Sequence, residues 1–371
     1  MRIAQIAPLA ESVPPKKYGG TERVVAALTE GLVLRGHDVT LFASGDSEAK
    51  AKLFATYPKH LREAMPKDSV RRTMATLSHL GVAYAHQEEF DIIHDHTGFY
   101  GNAFAYSAQT PTLVTMHGAF TKENIELFES LSRAYLVTIS HRQRQLAPHL
   151  NHIATIYNGL NFDNYPFSDT HEGYLLYVGR ISQEKGTRYT VEVARRLNMR
   201  LIIAAKLDNP KDRRYFKRYV KPYISDKIQW VGEVTEEERN KLYANALCLL
   251  HPVTWPEPFG LTLIEAMACG CPVIAFNQGS IPEIIQDRRT GYIVGNVDEM
   301  AARVKLISEI SREECKNHAR NNFNADRMVE AYESLYSTLL QLLNQQKQHI
   351  LPHTRMTPQY SGKRKARPTL Q

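Results

Sequence analysis

The segment Glu257-Pro258-Phe259-Gly260-Leu261-Thr262-Leu263-Ile264-Glu265 carries the sharpest chemical signal in the chain. Pro256 and Pro258 stiffen its entry and keep it out of a helix. Gly260 lets a ligand approach the backbone closely. A helix running from there to about Cys269 presents unpaired amides at the positive end of its dipole, which makes a seat for phosphate. Acids at 257 and 265 would repel a phosphate in contact, so their natural partners are hydroxyls: a sugar for Glu257, a ribose for Glu265. The plainer alternative is a solvated pair of glutamates flanking a core helix.

Gly179-Arg180-Ile181-Ser182-Gln183-Glu184-Lys185-Gly186 follows an apolar run and opens a helical one. Gly179 permits a tight turn, Arg180 offers a fork that matches phosphate oxygens, and Lys185 adds a point charge. A surface ion pair with Glu184 is the competing reading. Tyr18-Gly19-Gly20-Thr21-Glu22 is similar to a glycine-rich anion loop, although it lacks both the G-x-G-x-x-G spacing and a G-K-[ST] ending. A plain turn is equally compatible.

His117-Gly118 stands directly after a β-branched run, so His117 belongs at the carboxyl end of a strand, either facing a cleft or as a satisfied structural residue. His94-Asp95-His96 also ends a strand, and two histidines at i and i+2 share one face. No third metal ligand sits near them in sequence, so an acceptor contact by His96 is the preferred reading. The chain contains no D-x-D pair. Enzymes that neutralise a nucleotide diphosphate with a metal commonly use one. Arg180, Lys185 and a helix N-terminus supply the alternative, so no metal and no cofactor are expected.

These residues need a scaffold. Short apolar runs at 3–7, 38–43, 91–94, 112–116 and 135–139 alternate with helical patterns at 22–35 and 124–132. In the first helix Val24, Val25, Leu28 and Leu32 recur at helical spacing, and Gly36 closes it. The turn-rich stretch Asn158-Gly159-Leu160-Asn161-Phe162-Asp163-Asn164-Tyr165-Pro166 marks a boundary. The pattern then restarts, with strands at 174–178, 200–204, 228–231, 246–251, 272–275 and 291–294 and a helix at 186–197. A long helix with an aliphatic and tyrosine stripe at 326–343 closes the fold. The alternation predicts an α/β fold: two Rossmann-like, doubly wound domains, residues 1–157 and 158–325, facing a central cleft. The closing helix is expected to pack back on the first domain.

Composition agrees with a globular chain of this size. Of 371 residues, 43% are hydrophobic and 23% charged, which excludes collagen, coiled coil and general disorder. No apolar run reaches membrane-spanning length, and the opening residues are too interrupted for a signal peptide. The net charge of +7 is concentrated in residues 347–371, where six basic residues meet no acid. That tail reads as a disordered, solubilising end, with Lys363, Arg364, Lys365 and Arg367 offering a weak contact to anionic membrane. The near-neutral body and the lack of an aromatic-basic platform argue against nucleic acid. Cys248, Cys269, Cys271 and Cys315 form no C-x-x-C pair, which points to reduced thiols and a cytoplasmic setting, peripheral at the inner face of the membrane if the tail binds there.

G-R-x4-K-G after a strand, E-P-F-G-x4-E, G-G-T-E, T-M-H-G and A-C-G-C-P-V-I-A together resemble the retaining glycosyltransferases of family 4 (glycosyl transferases group 1), which have the GT-B fold. The resemblance covers about residues 1–343. It implies that Arg180 and Lys185 hold the donor diphosphate and that Glu265 binds ribose hydroxyls. Glu257, with the backbone of Phe259 and Gly260, would hold the transferred hexose, beside Gly179 and Leu261 in the donor site. Gly19 and Gly20 would close over the diphosphate or the acceptor, His117 would sit near the hexose and help stabilise the reacting centre, and Asn158-Gly159 would fall at the interdomain hinge. Ser280 stands where a second glycine is more usual, and Trp255 is an extra bulky residue beside the sugar pocket.

The implied reaction moves a hexosyl group from a nucleotide sugar, with a lean towards UDP-hexose, to an acceptor hydroxyl with retention and without a metal. The acceptor, a glycan, a lipid-linked glycan or a small molecule, would be met by variable loops at 46–89. A nucleotide-sugar epimerase would need acid/base groups at the sugar, for which only His117 and Glu257 offer themselves. A glycan phosphorylase would need a pyridoxal-phosphate lysine, which nothing marks. A non-catalytic nucleotide-sugar scaffold is disfavoured by the presence of both Glu257 and Lys185.

Overall fold

The computed structural model describes residues 1–65, 68–131 and 134–350. Seven parallel strands form the first sheet: β1 (Arg2–Ile6), β2 (Asp38–Ser44), β3 (Lys52–Tyr57), β4 (Ile92–Asp95), β5 (Thr112–Met116), β6 (Tyr135–Thr138) and β7 (His152–Thr155). Their order is β3-β2-β1-β4-β5-β6-β7. The second sheet holds β8 (Leu175–Arg180), β9 (Leu201–Lys206), β10 (Ile228–Gly232), β11 (Cys248–His251), β12 (Val273–Phe276) and β13 (Gly291–Val294) in the order β10-β9-β8-β11-β12-β13. Every pairing in both sheets is parallel. The central strands are buried along most or all of their length, as sheets covered on both faces require.

Each sheet reverses its winding once, between β1 and β4 and between β8 and β11. Those switch points are where parallel α/β sheets open a crevice beyond their carboxyl ends. Gly19 and His117 lie in the loops after β1 and β5, Arg180 ends β8, and Val253 lies in the loop after β11; all four line one cavity, so both crevices feed one cleft.

Val24, Val25, Leu28 and Leu32 are buried in the first helix, Gly20–Leu34, as their spacing predicts. The closing helix, Ala325–Ile350, puts Met328, Val329, Tyr332, Tyr336 and Leu339 into the core beneath the first sheet. The two chain crossings between the domains lie side by side: Leu160 N donates to Phe323 O and Ala325 N donates to Leu160 O. The four cysteines are buried and unbridged. Among the described residues no helix is long and apolar enough to cross a membrane.

Some expectations need correction. The stretch 46–89 is not a set of loops: it contains β3, a short helix Leu61–Ala64 and a helix Ser69–Ala85. β3 is an edge strand with exposed or half-buried side chains, and the long helix interrupts its apolar residues with Ser, Thr, Arg and a histidine, so neither shows a strong apolar period. β7, the other edge, was likewise invisible. The helix expected at 124–132 is Lys122–Glu129, and residue 132 lies outside the described residues. The closing helix continues to Ile350 and takes in the first residues of the expected tail; the rest of that tail, with Lys363, Arg364, Lys365 and Arg367, lies outside the described residues.

Candidate active site

A cleft of about 440 Å³ lies between the two sheets. It is lined from the first domain by Gly19, Gly20 and His117, and from the second by Gly179, Arg180, Lys185, Glu257, Phe259, Gly260, Leu261 and Glu265. Every expected site residue except His96 therefore lines one cavity. Residues far apart in the chain meet here because each closes a strand or opens a helix at the same end of its sheet.

The floor is the loop before the helix Leu261–Ala268. Gly260 caps that helix with φ 85°, a left-handed conformation that suits glycine, and so turns the first amides towards the cleft. Two residues from a different loop brace this one. Gly279 has φ 55°, and a side chain there would collide with the Glu257 backbone. Ser280 N donates to Glu257 O at 2.9 Å, and Ser280 Oγ donates to Phe259 O at 2.9 Å. Serine in place of the usual glycine thus ties the loop down rather than loosening it.

Glu257 is buried. Its Oε2 accepts from Lys185 Nζ at 2.6 Å and from Trp255 Nε1 at 2.9 Å, with His251 Nε2 at 4.0 Å. Burial alone would raise this carboxyl, but Lys185, His251 and the two hydrogen bonds outweigh it and hold the group below the ordinary range. Oε1 has no protein hydrogen bond among the described residues and is free to accept from a hydroxyl. Lys185 lies 4.8 Å from the centre of the Trp255 ring, so the bulky residue before Glu257 forms one wall of the lysine site.

Arg180 pairs with Glu184 and, at 3.7 Å, with Asp212. The ion pair with Glu184 coexists with a place at the cleft, so the two readings of this residue are not exclusive. Arg180 Nε is buried without a hydrogen-bond acceptor, as are Arg23 Nε, Arg239 Nε and His251 Nε2, all on residues that line the cleft. A concentration of unsatisfied donors at one cavity suits a ligand rich in acceptors.

Glu265 is almost fully buried and heavily engaged. Arg23 reaches it from the first helix; Arg239 Nη2 donates at 3.2 Å, and Tyr165 and Tyr243 each donate at 3.3 Å. A second cross-cleft bridge joins Arg62 to Glu233 at 2.6 Å. Gly20 and Leu261 face each other closely: a Cβ on Gly20 would lie 3.2 Å from Leu261 Cδ1.

His117 is half-buried, and burial lowers its pKa to about 4, so it is neutral at pH 7. His96 does not line the cleft. Its Nδ1 meets His117 Nε2 at 3.0 Å and its Nε2 meets Gln5 Oε1 at 2.8 Å, so both ring nitrogens are used inside the protein and neither can reach an acceptor substrate. The expected contact of His96 with acceptor is corrected accordingly: its ring packs behind His117, with the His94 ring centre 4.0 Å away on its other side.

Arg23, Arg239, His251, Tyr18, Lys206 and Glu22 also line the cleft and were not singled out as site residues from sequence. Lys206 Nζ sits 3.5 Å from the Tyr18 ring centre. Burial, reinforced by Glu11, pushes the Glu22 carboxyl up to about 7. Only Tyr18 and Glu22 had a local signal, their place at the two ends of the segment around Gly19-Gly20. The others are brought in by the tertiary fold.

Comparison with known proteins bears on the family and the fold. Residues 18–164 match the model of glycosyltransferase family 4, and residues 162–325 match that of glycosyl transferases group 1. The chain belongs to this glycosyltransferase family and has the GT-B fold. Among its relatives is an uncharacterized glycosyltransferase of Methanocaldococcus jannaschii, 24% identical over 91% of this chain and 99% of the relative. Among solved structures, sucrose-phosphate synthase from Thermosynechococcus elongatus superposes with a TM-score of 0.75 at 19% identity, covering 92% of this chain and 99% of that one. HepE of Anabaena, solved in complex with UDP-glucose, gives 0.69 at 17% identity over 91% and 100%.

Proposed function

We propose that the chain transfers a hexosyl group from a nucleotide sugar to an acceptor hydroxyl with retention of the anomeric configuration, and that it needs no metal to do so. The observation that carries this reading is the convergence of Arg180, Lys185 and the amide end of the helix Leu261–Ala268 on one cleft beside Glu257. The cations and amides suit a diphosphate, and the free Glu257 oxygen suits a sugar hydroxyl. UDP-hexose is the favoured donor, because HepE, with the same fold, was solved with UDP-glucose.

In the reaction the bond between the anomeric carbon and the diphosphate oxygen breaks, and a bond from that carbon to the acceptor oxygen forms. The acceptor proton passes to the departing phosphate oxygen on the same face, which gives retention without a protein nucleophile. The transition state has oxocarbenium character. Negative charge grows on the diphosphate, where Arg180, Lys185 and the helix amides are already in place; a single fixed donor of this kind is commonly worth about 3–4 kcal/mol. Neutral His117 stands at the edge of the same cleft, within reach of the hexose in this arrangement.

A thermal-shift panel of UDP-, GDP-, ADP- and TDP-sugars in EDTA tests the reading. One nucleotide should raise the melting temperature selectively, since a ligand that prefers the folded state stabilises it. No shift from any of them, under conditions where a related GT-B enzyme responds, would contradict it.

A further inference from the structure

Behind His117 runs a chain of buried polar groups that the reaction above does not use. His117 Nε2 meets His96 Nδ1 at 3.0 Å, and His96 Nε2 meets Gln5 Oε1 at 2.8 Å. Gln5 Nε2 donates to Tyr336 OH at 3.2 Å, and Tyr336 OH meets His94 Nδ1 at 2.6 Å. His94 Nε2 meets Thr115 Oγ1 at 2.7 Å, and Thr115 Oγ1 meets Tyr332 OH at 2.9 Å. Behind His117 every member is buried. The chain links β5, β4 and β1 to the closing helix, so it joins the cleft to the element that returns from the far end of the sequence.

Ring protons in such a chain are assigned from the network. A neutral imidazole has one donor and one acceptor nitrogen. Burial drives His94 and His96 well below the ordinary histidine range, so both are neutral. Gln5 Oε1 can only accept, so His96 carries its proton on Nε2 and its Nδ1 is bare. The 3.0 Å contact then requires the His117 proton to lie on Nε2. His117 Nδ1 has no protein hydrogen bond among the described residues and is left as an acceptor. On the far side, Gln5 Nε2 donates to Tyr336, Tyr336 donates to His94 Nδ1, and His94 Nε2–H donates to Thr115. One amide orientation thus sets the tautomers of three histidines.

We propose that His96, backed by Gln5 and Tyr336, is a positioning residue that holds the His117 ring with Nε2–H turned inward and the Nδ1 lone pair free to accept a hydroxyl proton of the transferred sugar. The sugar contact rests on the reading of the cleft as a nucleotide-sugar site; the tautomer does not.

Long-range 15N–1H correlation spectra of the full-length, histidine-labelled protein read the tautomer directly. The His117 signals are identified by their loss in His117→Gln. The expected result is the Nε2–H form of His117, unchanged from pH 6 to 8. In His96→Leu the ring should become a mixture of tautomers, and kcat should fall about 10- to 100-fold, the range for a partner that orients a functional histidine. Affinity for the nucleoside diphosphate, which lacks the sugar, should stay as in wild type. His96→Asn, whose Oδ1 keeps an acceptor for His117, should recover most of the rate. An Nδ1–H form of His117 in the wild type overturns the proposal, whether or not His96→Leu folds. So does a His96→Leu variant with wild-type tautomer and rate. Failure of the nucleotide-sugar reading looks different: the wild type would bind no nucleoside diphosphate while the tautomer still reads Nε2–H.

Discussion

Glu257 and Lys185 show what was legible residue by residue. The spacing of the two motifs named both, and the fold brings them within 2.6 Å of each other across 72 residues of chain. Arg23 and Arg239 carried no such signal, because a lone arginine in a helix reads as a solvated charge until a buried carboxylate such as Glu265 is placed beside it. His96 misled for the opposite reason: the strand end was correct, but its depth depends on neighbouring strands that a local pattern does not reveal. The buried histidines also make a prediction about pH. His79, His117 and His251 have pKa values lowered to about 4 by burial, and burial also drives His94 and His96 well below the ordinary histidine range. Below about pH 6.5 the unfolded chain takes up protons that these groups refuse in the folded state, so stability falls as pH drops from 6.5 towards 4, by up to about 1.4 kcal/mol per pH unit for each. Glu22, raised to about 7, and Asp95, raised to about 6, act in the opposite sense, because the folded state keeps their protons as pH falls. The histidines outweigh these two carboxyls, which predicts a lower melting temperature at pH 5 than at pH 7. A melting temperature at pH 5 equal to or above that at pH 7 would contradict the buried-neutral assignment.

At the scale of elements, the buried strands were readable because both faces are covered and their residues are apolar in succession. β3 and β7 were not, because edge strands need only a partial apolar face. The loop 256–260 was recognised by its prolines and glycine, yet what holds it comes from Gly279 and Ser280, which no local pattern ties to it. Gly279→Ala forces a left-handed conformation on a residue with a side chain, which costs about 1–2 kcal/mol before the collision with the Glu257 backbone is counted. Urea unfolding should show a loss of at least that size, with turnover reduced because Glu257 shifts. Ser280→Ala removes only the hydrogen bond to Phe259 O and should cost about 1 kcal/mol. Wild-type stability and turnover in Gly279→Ala would show that the brace does not matter.

For the whole molecule, the two-sheet architecture followed from the restart of the α/β pattern after the turn-rich stretch at 158–166. The closure of the cleft did not. Arg23 on Glu265, Arg62 on Glu233, and Glu283 accepting from the His141 and Arg142 amides at 2.8 and 2.7 Å are contacts between domains, set by how the sheets face each other. The first bridge engages Glu265, the carboxylate that the proposed donor site assigns to ribose.

The central claim is that fixed cations and amides in this cleft stabilise a departing diphosphate. Its most direct test is the release of nucleoside diphosphate from the sugar donor chosen by the thermal-shift panel, followed in EDTA for the wild type and Lys185→Ala. The account predicts turnover by the wild type without metal, and a rate about 100- to 1000-fold lower in a Lys185→Ala variant that still unfolds cooperatively, with a lower melting temperature because buried Glu257 loses its partner. Equal rates for the two proteins, or turnover that appears only when a divalent metal is added, would contradict it.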